Sequence, residues 1–104
     1  MDKVNSISSS DNIFTTSYRL TIMILLHNHK RINFTEVQKL LHLTPGNLDH
    51  HVKKLENAGY LRMYKRLSLK RPLTMLEITD LGKNAFRDYI KNLRDILNNI
   101  QLDG

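Results

Sequence analysis

Five histidines are the residues best able to bind a metal or move a proton: His27, His29, His42, His50 and His51. A zinc site wants three or four convergent ligands, and no spacing of His, Asp or Glu here stands out as such a set. His27 and His29 close a helical stretch, where a protonated imidazole suits the negative end of the helix dipole. His50 and His51 are adjacent, so on a helix they point in different directions. Neither has a Ser or Asp placed as a nucleophilic partner. Four scattered glycines, Gly46, Gly59, Gly82 and Gly104, build no phosphate-cradling loop. With no cysteine there is no disulfide, thiolate zinc site or thiol sensor. The sequence predicts no catalytic residue, no metal and no cofactor.

What remains is the chemistry of charge and shape. The 104 residues carry a formal charge of +6, and a pI of about 9.8 favours anionic partners. Hydrophobic residues make up 40% and charged residues 25%, the balance of a globular chain of one domain. The longest apolar run, Ile22–Leu26, is far short of the ~18 residues of a membrane span. The first ten residues are polar, Ser/Asn-rich and unlike a signal peptide, which predicts a flexible arm over 1–10 and a domain over 11–104. A soluble, cytoplasmic protein without membrane association is expected.

The elements that would position the charges follow from periodicity. Phe14, Tyr18, Ile22, Leu25 and Leu26 recur at three- and four-residue steps and predict a helix over 13–28. A short extended link spans 30–34, with room for one brief strand. Thr35 and Gln38 form a T-x-x-Q capping pattern that opens a second helix, whose apolar face is Val37, Leu40 and Leu41. A tight link through His42 and Leu43 leads to a third helix, with Thr44 as N-cap, Pro45 in the first position and Gly59 as the C′ stop. Residues 60–66 and 73–78 predict two strands joined by the loop LSLKRP. A last helix runs from the N-cap Thr79 to about Ile100. The fold class is mainly α with a small β-hairpin.

The third helix opens TPGN, a poor set of helix formers. On a wheel, Leu48, Val52 and Leu55 face the core. Gly46, Asn47, His50, Lys53, Lys54 and Asn57 face outward. Small and amide side chains at a helix start allow approach to base edges in a major groove, and Asn pairs in bidentate fashion with adenine. Free first-turn N–H groups favour phosphate oxygens. Thr-Pro-Gly-Asn also makes a good turn by itself. Its pairing with the preceding helix through so short a link is what suggests a helix-turn-helix. The hairpin adds Arg62, Lys65, Arg66, Lys70 and Arg71 with no acid between them. Such a ribbon suits a phosphate backbone or a minor groove; a solvated edge protected from aggregation by charge is the plainer alternative.

The run INFTEVQKLLHLTPGNLDHHVKKLENAGYL, with KRPLTMLEITDLGKNAF after it, resembles small winged helix-turn-helix transcriptional regulators of the ArsR/MarR type, over about residues 18–97. It looks closest to a compact archaeal and bacterial group. The resemblance implies that Thr44, Pro45, Gly46, Asn47 and His50 face the DNA groove, that His51 is half-buried, and that residues 65–71 form the wing. Two departures stand out: Leu67 and Leu69 occupy a loop that is often more polar in such proteins, and no metal-sensing cysteine motif is present.

In the last helix Phe86, Ile90, Leu93, Leu97 and Ile100 step by four, three, four and three, with Tyr89 and Ile96 widening the stripe. Packing on the first helix of the same chain would explain part of it. A helix of ~22 residues is about 33 Å long, however, and its far half needs a cover. The sequence therefore predicts a long C-terminal dimerisation helix over 79–100. Its expected partners are duplex DNA and a second copy of the chain; a protein- or RNA-interaction module and a non-specific chromatin-coating protein are the alternatives. No motif names a small-molecule effector.

Overall fold

The computed structural model describes residues 17–101. Four helices surround a three-stranded antiparallel sheet in the order α1 (Ser17–His29), β1 (Arg31–Asn33), α2 (Phe34–Leu41), α3 (Pro45–Asn57), β2 (Leu61–Arg66), β3 (Leu73–Ile78) and α4 (Asp80–Asn98). The expected arm, and the start of the first helix with Ile13 and Phe14, lie outside the described residues. Tyr18 was expected on the buried side of α1, but the buried stripe is Arg19, Ile22, Met23 and Leu26, and Tyr18 is exposed.

Asn33, not Thr35, caps α2: its side chain accepts from the Thr35 amide at 2.9 Å and the helix begins at Phe34. The T-x-x-Q pattern therefore sits inside the first turn. The link before it is a true strand, so the hairpin gains a third member. Sheet order is β1-β3-β2, with Ile32 opposite Leu76 and Met63 on its other side. One face sends Ile32, Leu61, Leu76 and Ile78 into a core with Ile22, Met23 and Leu26 of α1, Val37 of α2, and Leu48, Val52 and Leu55 of α3.

The opposite face holds a charged clamp. Glu77 is only 9% exposed and lies between one arginine from each neighbouring strand. Arg31 reaches it at 3.2 Å, and Arg62 at 2.5 Å, with its Nε donating at 2.6 Å. The Arg62 bond and charge, aided by Arg31 and Lys30, hold the Glu77 carboxyl below its ordinary range against the opposing effect of desolvation. The clamp ties all three strands together at one level.

Two Schellman-type ends aim the helices. After α3, Gly59 takes φ +83; its amide donates to the Glu56 carbonyl and that of Tyr60 to Leu55. After α2 the same pattern uses His42 at φ 55, a left-handed conformation that glycine adopts more readily. Three residues, 42–44, then suffice to turn the chain into α3.

Gly82, in the first turn of α4, has a strict packing role. A Cβ there would stand 2.0 Å from the Tyr60 carbonyl oxygen. Around this contact the Thr79 hydroxyl donates to the Gly59 carbonyl at 2.6 Å and accepts from the Gly82 amide at 2.9 Å, while the Thr79 amide donates to Tyr60 O at 3.1 Å. The end of α3 and the start of α4 thus share one tightly bonded joint.

Candidate nucleic-acid interface

The leading end of α3 is built to stand clear of the body. The Thr44 side chain caps it, accepting from the Asn47 amide at 3.2 Å, and Pro45 occupies the first turn. Leu48, Val52 and Leu55 are fully buried and fix the helix's rotation. That rotation exposes Thr44, Pro45, Gly46, Asn47, His50, Lys53 and Lys54 together. Pro45 has no N–H and Asn47 gives its own to Thr44, which leaves the Gly46 amide as the first-turn donor open to a ligand. Among the described residues nothing lies within 4 Å of a Cβ built on Gly46, and its φ is not left-handed. The monomer's own packing does not require a glycine there.

His51 holds the helix from the other side. Its ring lies 5.5 Å from that of Tyr18, and Arg19, buried in α1, approaches its Nδ1 at 3.2 Å. Arginine only donates, so Nδ1 is the acceptor and the imidazole is neutral in this contact. Burial first, then the charges of Arg19, His50 and Lys54, push the His51 pKa below its ordinary value. Adjacent histidines therefore do different work: His50 is exposed and His51 is half-buried against α1.

The hairpin rises beside α3. Glu56 accepts from the Met63 amide at 3.3 Å, joining helix to strand. Between them runs a cleft of about 460 Å³ lined by Asp49, Lys53 and Glu56 on one side and Tyr64, Lys65 and Thr74 on the other. Lys65, Arg66, Lys70 and Arg71 are exposed, with Lys65 Nζ held by Thr74 Oγ1 at 2.7 Å. Arg62 is different from these four. It is exposed as well, but its guanidinium is bound to Glu77 and lies 4.4 Å over the Tyr64 ring, so much of its charge is already paired.

The residues expected at a dimer contact divide along α4. Phe86 and Tyr89 are 6% exposed and belong to the chain's own core; His27 packs its ring 5.2 Å from Phe86. Ile90, Leu93 and Ile96 are half-buried, and Leu97 and Ile100 are exposed. Arg19, Glu77, Thr79 and Gly82 hold these surfaces in place; of these the sequence marks only Thr79, as a helix cap. Among the described residues, no three His, Asp or Glu side chains converge as for a metal, and no helix is long and apolar enough to cross a membrane.

Two helices joined by a three-residue turn, then a hairpin against a three-stranded sheet, define a winged helix-turn-helix, as the sequence implied. A family model described as winged helix DNA-binding domain matches residues 18–97, and the chain belongs to that family. An uncharacterized protein of Methanocaldococcus jannaschii is 36% identical over 89 residues, covering 86% of this chain and 97% of that one. The solved structure of a transcriptional regulator homologue from Pyrococcus horikoshii shares 36% identity with a TM-score of 0.89, over 98% of this chain and 100% of that one. The transcriptional regulator BldR from Sulfolobus solfataricus shares the fold at 20% identity, with a TM-score of 0.68 over 93% and 67% of the two chains.

Proposed function

We propose that the chain is a homodimeric regulator of transcription that reads duplex DNA sequence with α3. The observation that carries this is the joint exposure of Thr44, Pro45, Gly46, Asn47 and His50 above a fully buried Leu48–Val52–Leu55 stripe. Asn47 and His50 read base edges in the major groove; Thr44 and the Gly46 amide hold phosphate. Lys53, Lys54, Lys65, Arg66, Lys70 and Arg71 supply the charge that draws the backbone in, with Arg62 chiefly bracing the wing. Leu93, Ile96, Leu97 and Ile100 of two copies cover one another, with Ile90 at the edge of the contact. Two recognition helices related by a two-fold axis then meet half-sites about 34 Å apart.

Fluorescence anisotropy across a salt series tests this reading. Affinity should fall steeply as salt rises, and binding that is weak and barely responsive to salt would refute it. Lys70→Ala with Arg71→Ala should weaken binding to all sequences alike, whereas Asn47→Ala should chiefly change which sequences are preferred. The exposed Leu67 and Leu69 favour one alternative, a winged-helix module that binds protein or structured RNA. In that case Leu67→Asp would abolish partner capture and leave DNA binding unchanged. A binding-site selection that returned no consensus would instead indicate a non-specific coating protein.

A further inference from the structure

The wing tip carries two leucines that the fold does not use. Leu67 and Leu69 are 85% and 106% exposed, the most open large apolar side chains among the described residues. Between them, the Ser68 hydroxyl accepts from the Arg71 amide at 3.1 Å and donates to the Arg71 carbonyl. Pro72 fixes the backbone φ just beyond. The turn is tied across its own base, and the leucines are held outward. Around them Lys65, Arg66, Lys70 and Arg71 are all exposed, and residues 65–74 contain no acid.

An edge needing only protection from aggregation would put charge at the tip and keep leucine away. An apolar pair flanked along the chain by four exposed cations fits a partner with anionic rails and an apolar interior between them. The base stack of duplex DNA has that character. Reach agrees, and width sets a condition. Lys65 and Thr74 pair across the hairpin and line the cleft against α3, and the tip begins beyond the next pair, Arg66 and Leu73. At about 3.3 Å per residue the leucines stand roughly 7–10 Å past that rim, comparable with the ~7.5 Å depth of a minor groove. Two strands ~4.8 Å apart, with their side chains, are wider than the groove's ~6 Å. The ribbon enters only where the groove opens, and an apolar wedge between two base pairs opens it.

We infer that Leu67 and Leu69 form a wedge that the wing presses into the minor groove beside the half-site read by α3, parting one base step and bending the duplex toward the major groove. The inference rests on the duplex-binding reading above and adds a source of selectivity to it. Pyrimidine–purine steps such as TA unstack most easily, so the wing selects them without hydrogen bonding to any base. Side chains inserted in this way kink DNA by roughly 20–90°.

The test uses the whole chain and short duplexes recovered by in vitro selection, labelled at both ends for energy transfer, with a TA step or a stiff A-tract at the wing position. Anisotropy reports binding and energy transfer reports bending. Wild type should bind and shorten the end-to-end distance. Leu67→Ser with Leu69→Ser, a change at exposed positions, should bind but leave the duplex straight. Its affinity should drop about tenfold on the TA duplex and less than about twofold on the A-tract. Wild type that binds without bending, or a variant that bends equally well, overturns the wedge while the duplex-binding reading stands, and assigns the leucines to a protein partner. A chain that binds none of the duplexes overturns both readings.

Discussion

Replacing Gly46 with alanine separates what the fold requires from what the binding face requires. The position is in the first turn of α3, exposed, with an ordinary φ and open space where a Cβ would go. Alanine there should stabilise the isolated protein by roughly 0.4–1 kcal/mol, through helix propensity and a less free unfolded chain. For a domain of this size that raises the melting midpoint by a few degrees. Against DNA the sign reverses. The added methyl stands beside the open Gly46 amide, where a phosphate or base edge must come to contact distance. Overlap of one methyl in a close-packed contact costs about 1–3 kcal/mol, which corresponds to a loss of affinity of roughly 5- to 150-fold. Thermal melting and fluorescence anisotropy on the same preparation measure both effects. A variant that is more stable and binds as tightly as wild type would mean that the start of α3 does not approach DNA. A destabilised variant would mean that the space around Gly46 is not open.

Gly82→Ala should behave in the opposite way: its Cβ meets backbone at 2.0 Å, so the joint must separate and the Thr79–Tyr60 bond is strained or lost. The cost is about 3 kcal/mol or more, a large part of the ~5–15 kcal/mol typical of a domain, and denaturant unfolding would show it. Leu97→Asp with Ile100→Asp, at positions 54% and 48% exposed, should leave the circular-dichroism spectrum of the fold intact and convert a dimer to a monomer in sedimentation equilibrium; a dimer that persists in the variant would remove this part of α4 from the interface. The His51 pKa is depressed in the folded state, so its contribution to stability is complete above the ordinary imidazole value of about 6.5 and is lost as pH falls through the lower folded value. His51→Gln keeps an acceptor for Arg19 and should flatten that part of the melting curve below pH ~6.5; parallel curves for the two proteins would rule out this role.

The sequence announces most strongly what depends on local chemistry. Thr44, Pro45 and Gly59 mark both ends of α3 because caps and stops act within a turn of the residues that encode them. Thr79 marks the start of α4 for the same reason. Tertiary context displaces one local signal: pairing of Arg31–Asn33 with β3 leaves Asn33 extended at the cap position, so it caps α2 where the T-x-x-Q pattern points to Thr35. Partners distant in the chain leave no trace at either residue alone. Nothing in the sequence singles out Arg19 or Glu77, yet each is buried beside groups from other elements, His51 in one case and Arg31 and Arg62 in the other. The same pairing removes Arg62 from the set of unengaged wing cations. Gly82 reads as a helix-weakening residue until the Tyr60 backbone is seen against it. Along α4 the apolar stripe is continuous, but only the folded chain divides it into core at Phe86 and Tyr89 and open surface at Leu97 and Ile100.

The joint of Gly59, Tyr60, Thr79 and Gly82 makes a lever of the third helix. Its 13 residues extend about 20 Å from that fulcrum to Pro45, so a tilt of only ~10° at the pivot swings the far end by roughly 3.4 Å, the rise of one base pair. On the proposed reading, whatever resets the angle of the C-terminal helix would therefore shift the register between protein and duplex, with no change to any side chain at the contact itself.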